Sequence, residues 1–144
     1  MSAQSKGVAS RFYEAWNARD LDAFDDIVAA DAVDHDPQNP FSETHGPEGA
    51  KRMAGMYQAA FSDGRFAVEE QIAEGDLVVT RWTATGTNDG ELMGMPPTGR
   101  WVEVAGITID RIAGDKIAES WGCFDTLGMM QQLGAVPEGQ PARA

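Results

Sequence analysis

KIAESWGCFDTLGMMQQLG, residues Lys116 to Gly134, begins with a period of two and ends as a Leu/Met-rich helical segment closed by glycine. In an extended chain Ile117, Glu119, Trp121, Cys123 and Asp125 share one face, and Ala118, Ser120, Gly122 and Phe124 share the other. Asp125 therefore ends a strand on the side of Trp121, just before a helix starting at Thr126. A carboxylate held beside an indole has its charged form disfavoured, which raises its pKa and suits it to acid or base work. Asp is also a common helix N-cap, and taken alone the stretch reads as a cap.

Working upstream, Ala113-Gly114-Asp115 makes a hairpin back to a strand from Trp101 to Ile112. Leu77 to Thr87 and Phe66 to Ala73 read as two more strands, joined by Glu74-Gly75-Asp76. Before Arg65 the period is helical. Gly46-Pro47-Glu48 opens a helix whose stripe is Ala50, Met53, Ala54, Tyr57, Ala60 and Phe61, stopped by Asp63-Gly64. Lys6 to Arg19 carries Val8, Phe12, Ala15 and Trp16 at helical spacing, and Asp20 caps a short second helix bearing Leu21, Phe24 and Val28. Asp31 to Pro37 is a short extended piece, and Gln38 to His45 a polar loop. Helices followed by antiparallel strands give an α+β order: a curved sheet wrapped over N-terminal helices, with a pocket between them.

The 144 residues fit one domain, with an ordered core over about 6–134 and a flexible tail over 135–144. Twenty-three acidic residues against 11 basic ones give a net charge of -12, which disfavours nucleic acid and acidic membrane surfaces as partners. No apolar run reaches bilayer length and no signal pattern opens the chain, so a cytoplasmic protein is expected. Cys123 is the single cysteine and reads as a small buried hydrophobe.

Gly86 to Arg100, GTNDGELMGMPPTGR, places Leu92, Met93 and Met95 in a Gly/Pro-rich connection, which suits a flap over a cavity mouth or a dimer contact. This loop, FYEAWNARDLDAFDDIVAADAVDHDP from Phe12 to Pro37, and RIAGDKIAESWGCFDTLGMMQQLG from Arg111 to Gly134 together resemble the SnoaL-like polyketide cyclases of the nuclear transport factor 2-like superfamily. The resemblance implies a cone-shaped barrel with a deep apolar pocket, no metal and no organic cofactor. It also implies intramolecular aldol ring closure of an aromatic polyketide ester, with Asp125 as acid/base. Thr108 stands where characterised cyclases place a histidine, and Gly86-Thr87-Asn88 where they often have Gly-Thr-His.

His35 is a second catalytic candidate, in the segment the family places near its pocket. It points opposite to Asp34 and Asp36, so either the histidine or the pair of acids faces inward. Arg81 could orient a substrate oxygen or hold Asp125 ionised, and otherwise is an exposed or interface residue. Arg111 and Glu119 flank the last hairpin and could pair across strands. Trp16, Tyr57, Arg81, Trp82, Met93, Thr108 and Trp121 are the expected substrate-binding residues, and they suggest a bulky apolar small molecule. A homodimer or homotetramer is expected. Two other functions fit the same fold. A limonene-type epoxide hydrolase would need Asp125, Asp110 and Arg81 around one water. A binding module without turnover would be favoured if Asp125 is consumed as a cap.

Overall fold

A computed structural model of the chain describes residues 2–137. Helix α1 (Ser2–Asn17) is followed by a 3₁₀ turn (Leu21–Ala23), a short α2 (Phe24–Ile27) and strand β1 (Val28–Asp34). Helix α3 (Pro47–Ala60) leads into β2 (Arg65–Glu74), β3 (Leu77–Thr87), β4 (Trp101–Ala113) and β5 (Lys116–Phe124), and α4 (Thr126–Leu133) closes the described chain. The result is α+β, with the helices packed on a curved five-stranded sheet ordered β1-β5-β4-β3-β2.

Two features depart from the expected arrangement. The extended piece begins at Val28 and joins the sheet as β1, running parallel to β5, so the sheet is not wholly antiparallel. Asp20 stands before the 3₁₀ turn without a side-chain capping bond. The flexible tail expected over 135–144 lies mostly outside the described residues. No helix among the described residues is long and apolar enough to cross a membrane.

Two apolar clusters hold the layers together. One gathers Val8, Trp16, Phe24, Ile27, Val78, Ile112 and Ile117 where α1 and α2 meet the sheet. The other gathers Ala60, Phe61, Leu92, Val102, Val104, Met129 and Leu133 where α3 and α4 meet it. Burying side chains of this size stabilises by roughly 1.5–3 kcal/mol each relative to exposure.

The Gly/Pro-rich connection belongs to the second cluster. Buried Asn88 fastens it: Nδ2 donates to the carbonyls of Ala60 and Gly90, and Oδ1 accepts from the amide and hydroxyl of Thr98. Leu92 is thereby inserted into the core, with Met95 packed against it. None of Leu92, Met93 and Met95 lines the cavity described below.

A bulge in β5 decides which residues face inward. Pairing with β4 runs from Gly106–Phe124 to Arg111–Glu119 and then jumps to Ile112–Ile117, leaving Ala118 as the extra residue. An extra residue flips the parity of everything beyond it. Ile117 and, past the bulge, Ser120, Gly122 and Phe124 therefore all line the interior. Trp121, Cys123 and Asp125 lie on the outside. Cys123 is exposed, contrary to its expected burial.

Candidate active site

The two clusters enclose an apolar cavity of about 190 Å³, bounded by α1, α3, β1 and the concave face of the sheet. Inward residues of β4 follow the period of two: Val102, Val104, Thr108 and Asp110 all line it. Gly106 belongs to the same series and leaves room for the Trp82 ring, which lies across it.

Asp110 is the more deeply buried of the two acids that burial raises at this cavity. It is only 4% exposed, and its Oδ1 accepts from Ser120 Oγ at 2.5 Å. Burial pushes its pKa up to about 7; the Ser120 bond opposes this and the nearby Asp34 charge adds to it. The sheet register explains the grouping, since Ser120 pairs with Asp110 on one side and Asp34 on the other. Two residues back along β4, on the same inward face, Thr108 Oγ1 accepts from Trp82 Nε1 at 3.0 Å. The buried phenol of Tyr13 is pushed well above its usual range by burial and by the Asp110 charge, with Thr108 and Thr80 as its hydrogen-bonding neighbours.

A second acid borders the same cavity. Asp36 is raised by burial, with the Gln38 amide opposing the shift and the Asp34 charge reinforcing it. Tyr57 is pushed up to about 12 by burial and then by the charge of Asp36.

Of the expected binding residues, Trp16, Tyr57, Trp82 and Thr108 line this cavity. The others do not. Arg81 is exposed on the outer sheet face beside Glu70, at 3.4 Å. Met93 is exposed in the connection, at φ 46°. Trp121 lies outside because the bulge turned its face away.

The two expected catalytic residues are also outside the cavity. His35 stacks on Trp121 with centroids 5.2 Å apart, and its Nε2 lies 2.7 Å from Glu119 Oε2. Arg111 Nε holds the other oxygen of Glu119 at 3.0 Å. It is thus the pair of acids, Asp34 and Asp36, that faces inward. Asp125 is exposed and caps α4, its Oδ1 accepting from the Gly128 amide at 2.8 Å. A carboxylate committed to a helix cap outside the cavity does not meet a substrate bound within it.

Asp110 was within reach of the sequence. It sits two residues beyond Thr108, so any assignment that turns Thr108 inward turns Asp110 inward too. Asp36 belonged to the pair of acids that had to face inward if His35 did not, whereas Tyr13 and Ser120 carried no comparable signal.

The buried acid has a thermodynamic signature. A carboxyl whose pKa is raised by folding contributes stability that is present below its unfolded value and lost as pH rises through the folded one, here about 7. The slope is at most about 1.4 kcal/mol per pH unit. Between about pH 5 and about pH 8, wild type is expected to lose stability relative to Asp110→Asn in urea titrations. Parallel pH profiles for the two proteins would contradict a buried, proton-holding Asp110.

The sequence profile of the SnoaL-like polyketide cyclases matches residues 6–133. The chain belongs to this family. Among characterised relatives, the aklanonic acid methyl ester cyclase DnrD of Streptomyces peucetius is 30% identical over 138 residues, spanning 90% of this chain and 92% of its own length. The nogalonic acid methyl ester cyclase of Streptomyces nogalater is 30% identical over 125 residues, spanning 83% of this chain and 90% of its own. Among solved structures, IdmH from Streptomyces antibioticus superposes with a TM-score of 0.79 at 35% identity, covering 91% of this chain and 99% of that one. These relatives are named as cyclases, and they support a cyclase-like enzyme here.

Proposed function

We propose that this SnoaL-like protein is a cofactor-independent enzyme that closes a ring in an apolar, carbonyl-bearing molecule of the polyketide type, with Asp110 as its acid/base group. The observation that carries this reading is the carboxyl of Asp110, buried against an apolar cavity, bonded to Ser120 and holding its proton up to about pH 7. The named relatives act on methyl esters of aklanonic and nogalonic acid, which suggests an ester of that kind as substrate.

The chemistry asks little of a metal. A methylene between a ketone and an ester is acidified by both carbonyls, and conjugation spreads the charge of the resulting enolate. The cavity's main contribution is to fold the substrate so that the enolate carbon faces the carbonyl it attacks. A carboxylic acid kept neutral by its surroundings can then protonate the alkoxide that forms. Trp82, Tyr57 and Trp16 supply the walls, and the Thr108 and Tyr13 hydroxyls supply polar contacts in an otherwise greasy space.

The epoxide-hydrolase alternative required Arg81 and Asp125 inside the pocket with Asp110; the outward positions of both remove that set. The Asp125 cap also meets the condition set for a binding module without turnover, and the enzymatic reading rests instead on the buried Asp110. Purified protein is expected to convert aklanonic acid methyl ester to a ring-closed isomer of unchanged mass, without added metal or organic cofactor. In the same assay Asp125→Ala should keep its turnover while losing about 1 kcal/mol of stability through the lost cap. No conversion by wild type, or loss of turnover in Asp125→Ala at full folding, would overturn this assignment.

The expected homodimer or homotetramer belongs with this proposal. Ile107 and Trp121 are exposed near one another on the outer faces of β4 and β5, beside the oppositely charged pairs Arg81–Glu70 and Arg111–Glu119, and Trp101 is exposed at the start of β4. A second copy of the chain suits such a face, because a two-fold contact can match each sign of charge with the other. Sedimentation at micromolar concentration should show a dimer or tetramer, and a monomer would contradict it.

A further inference from the structure

Asp36 lies two residues past the end of β1, between exposed neighbours, yet is itself only 8% exposed. Consecutive turns hold it there. Its amide donates to Asp34 Oδ1 at 2.9 Å, and its own Oδ1 accepts from the Gln38 amide at 2.8 Å. Asp34 Oδ2 takes the Asn39 side-chain amide at 2.8 Å, and Gln38 Nε2 reaches Thr126 Oγ1 at 2.5 Å, tying the segment to the start of α4. The remaining oxygen, Oδ2, accepts no hydrogen bond from the described residues. It lies over Gly122, close enough that a Cβ there would come within 3.3 Å of it.

Gly122 pairs with Thr108 across β4 and β5, one inward step from the Asp110–Ser120 pair. The cavity therefore meets two carboxyl groups reached from different elements, Asp36 from the segment after β1 and Asp110 from β4. Each has one oxygen engaged by the protein.

We propose that Asp36 is a second catalytic carboxyl, which takes the proton from the substrate methylene while Asp110 supplies the proton to the oxygen formed at ring closure. This rests on the ring-closing function proposed above. The step balances without any oxidant or co-reactant. The Asp36 carboxylate accepts the C–H proton, and the electron pair of that bond becomes the enolate. The enolate carbon bonds to the ketone carbon, whose C=O π pair moves onto oxygen and accepts the Asp110 proton. Asp36 then releases its proton to solvent and Asp110 regains one, so the substrate is only isomerised. The division of roles follows the surroundings: burial on the central strand β4 keeps Asp110 protonated near neutral pH and ready to donate, while the Gln38 amide favours the carboxylate of Asp36, whose Oδ2 is left to accept. It also explains why position 122 is glycine, since a side chain there would press on the base.

The test uses aklanonic acid methyl ester in D₂O and follows enzyme-dependent deuterium exchange at the methylene separately from ring closure. Wild type should show both. Asp36→Asn keeps an oxygen for the Gln38 amide, so it should fold as wild type while exchange and closure both fall, by ~10²-fold or more. Asp110→Asn should keep exchange and lose closure. Gly122→Ala, which crowds Oδ2 without altering either acid, should slow exchange, and it serves if Asp36→Asn fails to fold. Exchange at the wild-type rate in Asp36→Asn or in Gly122→Ala would overturn the role of Asp36 and leave Asp110 as acid/base. Wild type that neither exchanges nor closes this ester would overturn the ring-closing function, and the role of Asp36 with it.

Discussion

Asp110→Asn should lower ring-closing turnover by about 10²–10⁴-fold, the range that one positioned acid/base group contributes. The substitution nearly preserves shape. The introduced carboxamide would keep an oxygen for the Ser120 hydroxyl, and the cavity walls around it would stay in place. What disappears is a transferable proton. The loss should therefore fall on kcat, with KM little changed, because the missing interaction is made in the transition state. Removing an acid that burial has raised should also make the folded protein more stable at alkaline pH, so the variant would be inactive and yet more robust. Activity lost together with stability would instead point to collapse of the site.

Gly106→Ala should destabilise the fold by about 1–3 kcal/mol, the usual range for overpacking a core. A Cβ at this position would lie 2.2 Å from Trp82 Cζ2 and 2.4 Å from Cη2, far inside contact distance. The backbone cannot retreat, because β4 is hydrogen-bonded to β3 on one side and β5 on the other. The indole must move. It then gives up its hydrogen bond to Thr108 and its edge-on packing against Phe66, whose centroid lies 4.8 Å away. Because Trp82 and Thr108 both line the cavity, turnover should fall along with the midpoint of urea unfolding. A variant as stable as wild type would mean that the ring has room the structure does not show.

Much of this architecture is written in local pattern. The helix from Pro47, the hairpins at Gly75 and Gly114 and the start of α4 after Asp125 follow from changes of period and from turn residues, and the structure has them at those places. The Arg111–Glu119 pair was legible for the same reason, as neighbours flanking a hairpin. The inside of the sheet was harder to read. Trp121 and Asp125 do share a face, but that face looks outward, and a strand's alternation cannot say which side the helices cover. The single extra residue at Ala118 then reverses parity, so Ile117 and Ser120 both point inward although one is odd and the other even. The parallel pairing of β1 with β5 joins segments far apart in the chain, and only that pairing brings Asp34 and Asp36 to the cavity. The family resemblance pointed to the right fold while directing attention to Asp125, a residue whose local role as a cap was plain from its place before Thr126.

The central claim is that Asp110 holds a proton in an apolar cavity at near-neutral pH. Carboxyl ¹³C NMR titration of protein labelled at aspartate reads this directly, with Asp110→Asn identifying the signal. One carboxyl should titrate at about 7 in wild type and be missing from the variant. A spectrum in which the signal lost on substitution titrates in the ordinary range near 3.9 would contradict it.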